Sequence, residues 1–115
     1  MGPWGDPARD LDVEGALAAL EAVVGDQPLR DVREPFEWGI SNLGEYGAKL
    51  IPMGELAERL EELDPSEEIV LQCRSGNRSA HAVQFLRSRG YPNVANLHGG
   101  ILAWSDEIDS SKKKY

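Results

Sequence analysis

The order of apolar runs and helical patterns along this chain predicts an α/β domain, a parallel central sheet flanked by helices on both faces. Three observations carry that expectation. Short strand-like runs at residues 29–32, 49–51, 69–71 and 94–97 alternate with segments of helical spacing. Two of those runs lead directly into a helix, one through Cys73 and the other through His98-Gly99-Gly100. With 115 residues, 41% hydrophobic and 28% charged, the chain is long enough for one core and too short for two ordinary domains.

Residues 1–9 contain two prolines and two glycines without periodicity, and 110–115 are polar with three consecutive lysines. Both read as flexible tails around a domain at 10–109. A helix is expected over 13–24, with Asp12 as N-cap and Leu17, Leu20 and Val24 on one face. After the strands at 29–32 and 49–51, Leu56, Leu60 and Leu63 recur at i, i+4 and i+7 and predict a helix over 53–63, stopped by Asp64-Pro65. Ile69, Val70 and Leu71 form a buried strand ending at Cys73. Ala82, Val83, Phe85 and Leu86 then mark a helix that Gly90 terminates. A strand at 94–97 and a short helix at 101–108 complete the order. Neither an internal repeat nor a low-complexity segment is visible.

In open parallel sheets ligands bind beyond the carboxyl ends of the strands, and Cys73 lies at such an end. The residues after it, Arg74, Ser75, Gly76, Asn77, Arg78 and Ser79, all carry a backbone N–H. A tight turn into a helix can aim several of those donors at the sulfur. The helix N-terminus and nearby guanidinium groups favour a thiolate, which can bring a cysteine pKa down to about 3.5–7.5. The loop therefore reads as a nucleophile in an anion nest. The bland alternative is a packed structural thiol, for which a glycine-containing, arginine-flanked loop is a poor setting.

Composition narrows the partners. Twenty acidic residues against 12 basic ones give a net charge of −8, which argues against nucleic acid. Arg74, Arg78, Arg87 and Arg89 are a local exception, drawing a small anion to this loop, although Arg87 and Arg89 are more simply complements to a helix C-terminus. No apolar stretch reaches the length of a membrane span or signal-peptide core, so no membrane partner and a cytoplasmic location are expected. One cysteine cannot form an internal disulfide, and one cysteine with two histidines gives no metal cluster. No metal or cofactor is expected.

Three motifs occur in order: Asp31-Val32-Arg33-Glu34, Cys73-Arg74-Ser75-Gly76-Asn77-Arg78-Ser79, and Leu97-His98-Gly99-Gly100-Ile101-Leu102-Ala103-Trp104. Together they resemble a single-domain rhodanese, a sulfurtransferase, over roughly residues 10–109. The resemblance implies a rhodanese-like fold and a persulfide enzyme. Its loop cysteine, matched by Cys73, takes the outer sulfur of a donor such as thiosulfate, carries it as a persulfide, and passes it to a nucleophilic acceptor. The residues from Cys73 to Arg78 match the family's active loop, whose amides would hold the anionic persulfide. The second and third motifs also look like domains appended to ubiquitin-activating-type adenylyltransferases. That likeness implies a ubiquitin-like sulfur-carrier protein or an adenylyltransferase as a partner.

The chain departs from the family at 41–48, Ser-Asn-Leu-Gly-Glu-Tyr-Gly-Ala, which is two residues longer than the usual segment and lacks its His-Ile-Pro core. Within it, 41–47 is expected to be a surface loop near the site that contacts a macromolecular partner, with Tyr46 as its amphipathic residue, against the alternative of a neutral insertion. Arg30, where the family's strand is usually apolar, suggests a short or edge-like start to that strand.

Other residues receive quieter readings. Arg78 is assigned to anion binding, because its charge opposes the helix dipole unless an anion sits nearby; for Arg74 the choice is open. Asp31 and Arg33 stand at a strand end, where an Asp can fix loop amides, so they are expected to support the site rather than transfer protons. His81 reads as a helix-surface residue and His98 as a turn or packing residue, against a Cys–His dyad. Trp38 and Trp104 are read as packing residues, and Glu58, Glu61, Glu62, Glu67 and Glu68 as a solvated face. Rival functions are a cysteine-dependent phosphatase, whose loops place five residues between Cys and Arg where this chain has four, and a noncatalytic docking module.

Overall fold

The computed structural model describes residues 11–21 and 29–114. Its elements run α1 (Val13–Glu21), β1 (Leu29–Asp31), α2 (Pro35–Ile40), β2 (Lys49–Leu50), β3 (Ile69–Gln72), α3 (Asn77–Ser88), β4 (Val94–Asn96) and α4 (Gly100–Glu107). The four strands are all parallel in the order β2-β1-β3-β4. Leu11 extends the sheet beyond β4, its N–H bonding Asn96 O and its carbonyl receiving His98 N–H.

Side chains along β3 alternate between two cores. Val70 joins Leu29, Ala95, Leu97, Ile101 and Trp104 on the face covered by α1 and α4. Ile69, Leu71 and Cys73 join Ala82, Val83 and Leu86 of α3 on the other. The expected parallel sheet with helices on both faces is therefore present. The N-cap reading of Asp12 holds as well, since its Oδ1 accepts Gly15 N–H at 2.7 Å. Gly90, at φ 90°, ends α3. Residues 1–9, together with residues 22–24 of the first expected helix, lie outside the described residues. No helix among the described residues is long and apolar enough to cross a membrane.

Three expectations need correction. Residues 53–63 do not form one α-helix; they fold as separate 3₁₀ turns at Met53–Glu55 and Leu60–Glu62. Gly54 weakens the continuous helix, while Leu56 and Leu63 still reach the core. β1 is short, as Arg30 suggested, but it lies inside the sheet, with Arg30 registered against both Lys49 and Leu71. A helix, α2, also lies where none was expected. It is only six residues long, too short to show periodicity, and begins with Pro35 at its first position.

The segment 41–48 is anchored at both ends, with Gly44 and Glu45 exposed between. Ser41 and Leu43 are buried, Gly44–Tyr46 forms a 3₁₀ turn, and the Tyr46 ring meets Trp104 edge-on at 4.8 Å. The Tyr46 hydroxyl donates to Asp109 at 3.1 Å. Tyr46, half-buried, therefore also packs, because a large ring beside a fully buried tryptophan is held by apolar burial. Farther along, the Ser105 hydroxyl donates to Lys112 O at 2.6 Å, and the Lys112 ammonium pairs with Glu45, so the chain after α4 folds back onto this segment.

Candidate active site

β3 delivers Cys73 to the end of the sheet, where Gly76, at φ 100°, turns the chain into α3. A side chain at Gly76 would be strained in this left-handed region and would crowd Gly99 N at 3.1 Å. The turn folds the loop over its own cysteine. Gly76 N–H donates to Cys73 Sγ at 3.1 Å, and the Ser79 hydroxyl reaches the same sulfur at 3.3 Å.

Cys73 is 1% exposed. Burial pushes its pKa up, whereas the Ser79 hydroxyl and the amides of Ser79, Gly76 and Ser75 pull it down. The donors prevail, leaving the thiol below its ordinary value. This is the amide convergence that the loop's sequence suggested.

The second glycine motif holds that loop from behind. Ile101 N–H donates to Cys73 O at 2.9 Å and Leu102 N–H to Arg74 O at 3.2 Å, so the first amides of α4 grip the loop's carbonyls. In a trans peptide the carbonyl and the next N–H point opposite ways. Fixing Arg74 O on α4 therefore turns Ser75 N–H the other way, toward the sulfur. Only glycine fits at 100, where a Cβ would lie 2.3 Å from Cys73 O.

The other expected site residues divide. Asp31 and Arg33 form a fully buried pair with Nη2 to Oδ2 at 2.7 Å, and Asp31 Oδ1 accepts Arg33 N–H at 2.9 Å. Arg33 Nη2 also donates to Ser41 O at 2.7 Å, which ties the end of α2 to the sheet. Arg78, in the first turn of α3, turns its guanidinium to Glu37, with both nitrogen–oxygen distances 2.7 Å. Glu37 Oε2 accepts Glu34 N–H at 2.8 Å, so one carboxylate caps α2 and engages Arg78. Arg74 contributes its carbonyl to the α4 contact, while Asn77 opens α3. His81 and His98 are exposed, Trp104 is fully buried, and the half-buried Trp38 packs against the same core.

Two participants were missed in the sequence. Glu37 was detectable from its position three residues after Glu34 and two after Pro35. Asn96 ends β4, and its Nδ2 donates to Gly76 O at 3.1 Å while its Oδ1 accepts from the Ser79 hydroxyl. A polar side chain after Val94 and Ala95 in a buried strand was the available signal.

A model of the rhodanese-like domain matches residues 15–107, and the chain belongs to this family. It is 38% identical over 97 residues to a sulfurtransferase of Allochromatium vinosum, covering 84% of this chain and 88% of that protein. It is 36% identical over 89 residues to the probable adenylyltransferase/sulfurtransferase MoeZ of Mycobacterium tuberculosis; the match takes in 76% of this chain and 22% of MoeZ. The chain thus spans about a fifth of that relative. The human single-domain sulfurtransferase TSTD1 superposes with a TM-score of 0.73 at 26% identity, over 87% of this chain and 97% of that one. Relatives named as sulfurtransferases support that activity at the level of the family.

Proposed function

We propose that the chain is a sulfurtransferase that carries sulfane sulfur as a persulfide on Cys73. The observation that carries this reading is the convergence of Gly76 N–H and the Ser79 hydroxyl on one sulfur whose pKa they help to lower. With thiosulfate, the Cys73 thiolate attacks the outer sulfur. A bond forms between the two sulfurs, and sulfite leaves with the electron pair of the bond that breaks. A nucleophile such as cyanide then takes the outer sulfur, giving thiocyanate and restoring the thiolate. The cycle requires no outside oxidant or base, because the nucleophile begins and ends as a thiolate.

The nest provides preorganised donors for an anionic sulfur, and the 1% exposure of Cys73 favours a donor with a slender end. The similarity to MoeZ supports a ubiquitin-like sulfur carrier or an adenylyltransferase as a macromolecular partner. Thiocyanate formation from thiosulfate and cyanide tests the central reaction. The parent protein should turn over and Cys73→Ser should fall to background; an undiminished rate in Cys73→Ser would overturn the assignment.

A further inference from the structure

We propose that Asn96 is a positioning residue that competes with Cys73 for the single proton of the Ser79 hydroxyl; this rests on reading Cys73 as the reactive sulfur. The amide of Asn96 is oriented by its own contacts. Its Nδ2 donates to Gly76 O at 3.1 Å, leaving Oδ1 toward Ser79. Ser79 Oγ therefore lies between two acceptors, Asn96 Oδ1 and Cys73 Sγ, the latter at 3.3 Å. A hydroxyl has one proton. With Ser79 fully buried and Asn96 3% exposed, bulk water is a poor substitute donor.

The two charge states of the sulfur use that proton differently. As a thiol, Cys73 donates to Ser79 Oγ, and Ser79 donates onward to Asn96 Oδ1. As a thiolate, the sulfur accepts the Ser79 proton, and Oδ1 gives up its donor. Ionising Cys73 thus breaks a buried hydrogen bond at Asn96, which limits how far the nest favours the thiolate.

The surrounding charges are Arg74 in the loop, Arg78 on α3 with Glu37 of α2, and the closed Asp31–Arg33 pair after β1, while α4 presents amides. The competition bears on both halves of transfer. A lower thiol pKa makes Cys73 a weaker attacking nucleophile and a better leaving group.

The test is a double-mutant cycle read by the pH dependence of iodoacetamide alkylation, which does not require sulfur transfer. In the parent background, Asn96→Ala and the near-isosteric Asn96→Leu should lower the midpoint by up to about one pH unit, the value of one buried hydrogen bond. Ser79→Ala alone should raise it. In the Ser79→Ala background, the Asn96 substitutions should move it by no more than a few tenths. Equal shifts in both backgrounds, or an upward shift with Ser79 present, would show that Asn96 acts only through Gly76 and would overturn the proposal. If neither Asn96 variant folds, Asn96→Ser, too short to hold Ser79, is measured in the same cycle and must show the same dependence on Ser79. Failure of this cycle with thiocyanate formation intact would remove Asn96 from the account and leave Cys73 in it.

Discussion

The turns into α3 and α4 leave the same end of the sheet through left-handed glycines, Gly76 at φ 100° and Gly99 at φ 79°, yet their helix N-termini face different targets. At α3 the loop donors meet a side chain whose charge can change, Cys73 Sγ. At α4 they meet main chain, with Cys73 O and Arg74 O bound at 2.9 and 3.2 Å. A helix N-terminus attracts negative charge in either case. The difference is that α4 is saturated by carbonyls and becomes scaffold, while the α3 turn keeps its donors on a thiol. The Cys73 loop owes the direction of its amides to the α4 turn behind it.

Gly100→Ala should break this arrangement most severely. Its Cβ would meet Cys73 O at 2.3 Å and Arg74 O at 2.6 Å, backbone atoms that cannot move aside without opening the loop. Urea denaturation should show a loss on the order of 4 kcal/mol, with sulfur transfer almost abolished. A stable, active Gly100→Ala would mean that α4 does not shape the loop.

Gly76→Ala should separate stability from chemistry. Strain at its left-handed φ costs about 1–3 kcal/mol. Displacing its N–H should also raise the Cys73 alkylation midpoint toward the ordinary thiol value of about 8.5. The parent midpoint should lie lower, because donors that favour the thiolate keep it populated as pH falls. An unchanged midpoint in a folded Gly76→Ala would remove this amide from the nest.

The smallest effect belongs to Glu37→Gln. Its partner Arg78 has a 39% exposed side chain, so the pair is partly screened and its loss should cost about 1 kcal/mol or less. Releasing Arg78 from a carboxylate should lower the KM for thiosulfate about threefold at low salt, with the difference fading as salt rises. An unchanged KM would leave Arg78 as a link between helices and not an anion contact.

The division between legible and hidden features follows distance along the chain. β3, its cysteine and the start of α3 were readable because the apolar run, the glycine turn and the helical spacing lie within about twenty consecutive residues. α2 was hidden because six residues hold too few turns to display a face. The 53–63 segment showed the right leucines in the wrong helix, since burial of Leu56 and Leu63 requires a facing surface but not continuous α geometry. The contacts that complete the site, Arg78 to Glu37 and Ser79 to Asn96, join residues 41 and 17 positions apart. They depend on the parallel strand order, which places β1, followed by α2, and β4 on either side of β3. Local spacing encodes the nest, and topology supplies its supports.

The central claim, that this nest exists to hold a transferable sulfur on Cys73, is tested most directly by intact-mass spectrometry of protein purified without reductant and incubated with thiosulfate. Each chain should gain one sulfur atom, removed by cyanide or dithiothreitol and absent from Cys73→Ser. A parent protein that gains no sulfur, or a Cys73→Ser protein that gains it equally, would contradict the account.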